Sequence, residues 1–190
     1  FVPQIALALE RAKEAGLRIP VVYNTGSYEK ADTLKRMDGL VDIYLPDMKY
    51  VSPALAQRYS HAPDYFETAS LAVAEMVRQV GEPVFDGNTG LMKKGVIVRH
   101  LVLPGCTADS KKVIRYLYQT YGDRIFISIM NQYTPIGEFL ESPELNRRVS
   151  RREYDRVVDF ALELGVENGF IQEGETAEES FIPEFDGEGL

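Results

Sequence analysis

Residues 41–50 read VDIYLPDMKY, an apolar run that ends abruptly in a carboxylate and an amine. The run has the length of a strand buried on both faces, the pattern of a parallel sheet covered by helices. Asp47 and Lys49 are two residues apart, so on an extended chain they point to the same side. An acid and an ammonium together at the end of a buried strand mark a site at the strand's mouth.

The same rhythm recurs on both sides of this stretch. Residues 3–16 read as a helix, with Ile5, Leu7, Ala8, Leu9 and Ala12 near one face and Gly16 closing it. Residues 19–23 (IPVVY) are a strand that runs into Asn24-Thr25-Gly26. A short helix over 29–37 leads to a strand over 42–45, and Ser52 caps a further helix with Pro53 at its first position. Residues 64–80 form a longer helix. Residues 82–95 break the rhythm, because Asp86-Gly87-Asn88 and Lys94-Gly95 signal an inserted hairpin or loop. Residues 96–103 (VIVRHLVL) are a strand ended by Pro104-Gly105, and a helix follows over 109–121. Residues 125–130 (IFISIM) are a strand ending in Asn131-Gln132-Tyr133, and 134–149 are irregular. Ser150 and Glu153 form a capping box for a helix that runs to Leu164 and closes at Gly165. Residues 170–172 are a short last strand.

Strands alternating with helices imply right-handed βαβ units and a parallel sheet. Four good strands are few for a closed barrel of eight. The fold class expected is α/β, a partial (β/α) barrel or open sheet with parallel strands and with function at their C-terminal ends. Residues 1–172 are expected to form that domain, and residues 173–190 an acidic C-terminal tail.

The chain has 190 residues, 45% of them hydrophobic, which suits one domain with a sizeable core. Residues 173–190 hold seven acids and no base, so removing them from the 29 acids leaves 22 against 21 Lys and Arg. A near-neutral body argues against nucleic acid or an anionic membrane as a partner. The single cysteine, Cys106, excludes a disulfide framework and a multi-cysteine metal site within this chain. No apolar run approaches the ~18 residues of a membrane span and no signal peptide is visible, so a cytoplasmic location is expected. The start on Phe-Val-Pro, already close to a helix, reads as that of a processed or engineered fragment.

The strand ends gather the candidate binding groups. The first supplies Asn24 and Thr25, the second Asp47 and Lys49, the fourth Gln132 and Tyr133. The third carries Arg99 in its interior, with Ile97, Leu101 and Leu103 on the same face. Together they suit a zwitterion: Arg99 and Lys49 for a carboxylate, Asp47 and amide oxygens for an ammonium or hydroxyls. Plainer readings stand beside this. Asp47 and Lys49 form a structural ion pair, or Asp47 is the partner that a buried Arg99 requires. His100 points away from Arg99 and reads as a hydrogen-bonded packing residue, His61 as solvated, and Cys106 as a bystander with no base beside it.

VYNTG, VDIYLPDMKY and VIVRHLVLPG followed by Asp109-Ser110 resemble, in order and spacing, the later half of radical S-adenosylmethionine (SAM) enzymes. The similarity is to the pyruvate formate-lyase activating enzymes and a related branch, and it covers roughly residues 1–172. The resemblance implies a partial (β/α)6 barrel holding a 4Fe–4S cluster and SAM. It also implies a 5′-deoxyadenosyl radical that takes hydrogen from a substrate, for activating enzymes a glycine of a partner protein. By position it assigns Asn24, Asp47, Lys49 and Arg99 to the SAM site, and Tyr133 to a place where activating enzymes often carry His. The cysteine triplet that fixes the cluster is absent, so the resemblance is to a C-terminal fragment, inactive alone, with no metal ligand of its own. In such a fragment the 19–23 strand lacks a neighbour, and self-association through that edge is expected. Two other readings are a Schiff-base lyase using Lys49 and a non-catalytic scaffold. In the scaffold reading the acidic tail, with Phe181, Ile182, Phe185 and Leu190, is a docking strip or packs back on the body.

Overall fold

Five apolar runs lie side by side and parallel in the computed structural model, which describes residues 1–172. They are β1 (Val22–Thr25), β2 (Ile43–Pro46), β4 (Met92–Leu101), β5 (Phe126–Met130) and β6 (Gly169–Ile171), in the order β1-β2-β4-β5-β6. A two-residue strand, β3 (Val84–Phe85), pairs antiparallel with the start of β4. The sheet is open, an α/β arrangement of the part-barrel kind expected from the sequence. The tail over 173–190 lies outside the described residues.

The crossovers are α2 (Ala31–Leu34) with a 3-10 turn over Lys35–Met37, then α3 (Pro53–Ser60) and α4 (Tyr65–Val80), α5 (Thr107–Tyr121), and α6 (Arg151–Leu164). An opening helix, α1 (Val2–Glu14), packs beside α2 and its 3-10 turn. Their ends follow from local chemistry. The Ser52 hydroxyl accepts from Leu55 N–H. Ser150 and Glu153 form the full capping box of α6, and Gly165 leaves that helix in the left-handed conformation.

Strand alternation divides the sheet into two faces. Tyr44, Val96, Val98, His100, Ile127 and Ile129 are buried under the helices. The other face carries Leu45, Ile97, Arg99, Leu101, Phe126, Ser128 and Met130, all half-buried, with Val22 and Asn24 exposed at its β1 end. None of the helices covers this second face among the described residues.

Several boundaries differ from the sequence reading. The 19–23 strand instead spans Val22–Thr25, and Ile19 is exposed. Pro20 has no N–H to donate, so pairing starts where the Val21 carbonyl accepts from Asp42 and Ile43. The ladder then runs on through Asn24, which puts that residue inside β1 rather than in the turn after it. In α1 the inward stripe is Val2, Ala6 and Leu9, whereas Ile5 and Leu7 face out. β4 starts earlier than expected because residues 92–94 serve the hairpin with β3 before Gly95 brings the strand against β2. A side chain at Gly95 would meet Pro83 Cα at 3.2 Å, and its φ of 146° is open only to glycine.

Candidate functional site

An arginine on an apolar strand needs a carboxylate within reach. The Arg99 side chain is 27% exposed and that of Asp47 23% exposed, on the sheet face opposite the helices. Arg99 Nε and Nη2 donate to the same oxygen, Asp47 Oδ1, at 3.0 and 2.6 Å. Nη2 also donates to Asn24 Oδ1 at 2.7 Å. The backbone makes this possible: Asp47 N–H bonds the Thr25 carbonyl and Met48 N–H bonds the Arg99 carbonyl, both at 2.9 Å. Asp47 and Arg99 thereby stand opposite each other as a parallel bridge that extends the β2–β4 ladder. Parallel β1, β2 and β4 thus converge three of the five candidate residues.

Lys49 shares the open side without joining the cluster. Burial alternates beyond β2: Asp47 is half-buried, Met48 buried, Lys49 exposed and Tyr50 buried. No ion pair reaches Lys49 among the described residues, and the partner of Asp47 is Arg99. Tyr133 stands apart. Its hydroxyl donates to the Leu145 carbonyl at 2.9 Å, in a 3-10 turn over Pro143–Asn146. Burial, with the nearby Tyr50 second, pushes its pKa up.

The turn after β2 is clamped by groups that sequence reasoning did not assign. The Tyr65 hydroxyl accepts from Lys49 N–H at 3.1 Å and lies 2.9 Å from the Asp47 carbonyl and 3.0 Å from that of Gly26. Its one proton goes to either carbonyl, tying the β1 and β2 ends together. The Asp109 carboxylate, near the start of α5, accepts from Val51 and Ser52 N–H, both at 3.0 Å. The only local signal for Tyr65 was its place at the first turn of α4, and its partners are remote in sequence.

Cys106 is buried, its Sγ 3.7 Å from the Tyr59 hydroxyl, and burial raises the thiol pKa. His61 is an exposed left-handed cap of α3. His100 is buried and bonded to Met48. A separate cavity of about 80 Å³ between α6 and the β5–β6 pair is mostly apolar and contains no candidate residue.

The cluster offers a guanidinium, a carboxylate and an amide in one row, bordered by Leu45, Ile97, Leu101 and Met130. Both bonds from Arg99 land on Oδ1, so Asp47 Oδ2 and Arg99 Nη1 carry no bond among the described residues. Such a surface has donors and acceptors to spare for a small ligand with charged and apolar parts. It does not suit an iron–sulfur cluster. The chain has one cysteine, and no group of three His, Cys, Asp or Glu able to hold a metal ion occurs among the described residues.

No family model matches the chain. An uncharacterized protein of Methanocaldococcus jannaschii is 27% identical over 164 residues, covering 84% of this chain. The match spans 43% of that relative's length. Among solved structures, a domain of a pyruvate-formate lyase-activating enzyme from Bacteroides vulgatus has a TM-score of 0.63 at 11% identity. It aligns over 90% of this chain and 91% of that one, a likeness of fold.

Proposed function

We propose that this chain is the C-terminal part of a radical SAM-type protein, and that Asn24, Asp47, Lys49 and Arg99 bind part of the SAM molecule. The observation that carries the reading is the Asn24–Asp47–Arg99 cluster, built from three parallel strands on the sheet face that no helix covers among the described residues. The fold likeness to an activating-enzyme domain supports it.

In that family the chemistry is reductive cleavage of the SAM sulfonium. This chain's share is binding and orientation. Asp47 Oδ2 accepts from ribose hydroxyls or an ammonium, Arg99 Nη1 and the Lys49 ammonium meet a carboxylate, and Ile97 and Leu101 exclude water beside them. Tyr133, whose hydroxyl donates to the Leu145 carbonyl, offers its ring and the accepting lone pairs of that oxygen. The cysteine ligands of a 4Fe–4S cluster are not in this chain, and no step through a cluster is assigned to its residues. For the whole protein the proposed substrate is a hydrogen-atom donor of the kind activating enzymes use, a glycine of a partner protein.

The Schiff-base reading gains nothing from the geometry, because Lys49 is exposed and an imine-forming amine is activated by desolvation or a neighbouring cation. The test is to reconstitute the full-length gene product anaerobically with iron and sulfide, and to assay 5′-deoxyadenosine from SAM. NMR of this chain with added SAM should shift the amides of residues 24, 47–49 and 99. The absence of both cleavage and shifts would overturn the reading.

A further inference from the structure

His100 is 1% exposed on the helix-covered face of β4, next to Arg99, whose side chain leaves by the opposite face. Its Nδ1 lies 2.7 Å from the Met48 carbonyl oxygen. A carbonyl can only accept, so Nδ1 carries the proton and Nε2 is bare. Nε2 is buried without a hydrogen-bond partner among the described residues. Met48 is the residue between Asp47 and Lys49. The turn is therefore gripped from three elements: β4 through His100, α4 through Tyr65, and α5 through Asp109.

The charged groups whose fields reach His100 are Asp109 on α5 and Asp47 at the end of β2. Both carboxylates are engaged elsewhere, Asp109 by Val51 and Ser52 N–H and Asp47 by Arg99. Protonating Nε2 would create a donor with nothing to receive it, and would bury a cation.

We propose that His100 is a positioning residue: its neutral Nδ1–H form holds the 47–52 turn in the shape that presents Asp47 and Lys49 to a ligand, and protonation of the ring releases that turn. The inference rests on the reading of the Asp47 cluster as the binding site. Burial, the largest influence, already lowers the histidine from its ordinary 6.5. The closed turn then binds fewer protons than the open one. The stabilisation of the closed turn is complete above pH 6.5 and weakens as pH falls below it, by up to about tenfold per pH unit.

The experiment is amide hydrogen exchange on this chain from pH 7.5 to 5.5, expressed as protection factors. The amides of Met48, Lys49, Val51 and Ser52 should lose protection as pH falls, while those of Ile114 and Leu117 in the core keep theirs. H100N places an amide donor where Nδ1 sits and cannot titrate, so it should flatten the profile. A long-range proton–nitrogen spectrum of wild type should show a protonated Nδ1 and a bare Nε2. Flat wild-type protection at 48–52, a fall that parallels Ile114 and Leu117, or an equally steep fall in H100N would overturn the proposal. Binding of SAM to the full-length protein should weaken over the same pH range. Absence of SAM binding at every pH defeats the SAM assignment alone, and the exchange profile still decides the role of His100.

Discussion

Removing Asp47 should cost this fold about 2 kcal/mol, and most of that should come from what it leaves behind. Asp47→Ala strips Arg99 of two charge-assisted bonds, at 3.0 and 2.6 Å, leaving Asn24 as its side-chain partner among the described residues. Exposed ion pairs contribute about 0–1 kcal/mol, whereas breaking a buried pair costs about 3–5. With side chains 27% and 23% exposed this pair lies between those limits. Arg99→Met keeps the aliphatic stem and leaves a carboxylate that can take up water on the open face, so about 1 kcal/mol is expected. The double variant should be less destabilised than the sum of the two by about 1 kcal/mol, the coupling of a partly desolvated pair. For a domain of this size, 2 kcal/mol lowers Tm by roughly 4–8 °C. Urea unfolding followed by circular dichroism measures all three variants. Coupling under about 0.3 kcal/mol, or full loss of coupling in 1 M salt, would refute it by showing the pair to be no more than a solvated surface contact.

Tyr65→Phe keeps the ring and deletes the hydroxyl that joins Gly26, Asp47 and Lys49; a loss of about 1–3 kcal/mol, with faster exchange confined to the 47–50 turn, is expected. Glu75 is held down to about 2 by its bonds from the Arg78 guanidinium, so its stabilising contribution is complete above pH 4.5 and fades as pH falls toward 2. Acid unfolding of Glu75→Gln should be shallower than wild type over that window; identical acid limbs would contradict the assignment. Ser150→Ala removes one half of the α6 capping box and should cost about 1 kcal/mol in chemical unfolding, with Ser150→Asp restoring most of it.

How much of the site was readable depended on sequence distance. Ser52 and Ser150 cap helices within three residues of themselves, and periodicity alone marks β2 and β4 as buried strands. The need of Arg99 for a carboxylate followed from its apolar strand. Lys49, two residues from Asp47 in sequence, looked as good a partner for Asp47 as Arg99, 52 residues away, because spacing says which side a residue takes but not which neighbour it meets. Tyr133 shows the same limit: its position after β5 was legible, but its bond to Leu145 depends on the path of the irregular 134–149 stretch.

From its residues alone this chain commits to alternating strands and helices, to their caps and punctuation, and to an arginine that cannot stay unpaired, since propensity, periodicity and desolvation act within a few residues. Tertiary structure chose the rest: that Asn24, Asp47 and Arg99 meet, that one sheet face is free of helices among the described residues, and that Tyr65, His100 and Asp109 grip one turn. Those choices rest on hydrogen bonds between elements whose adjacency exists only after strand order and register have been set.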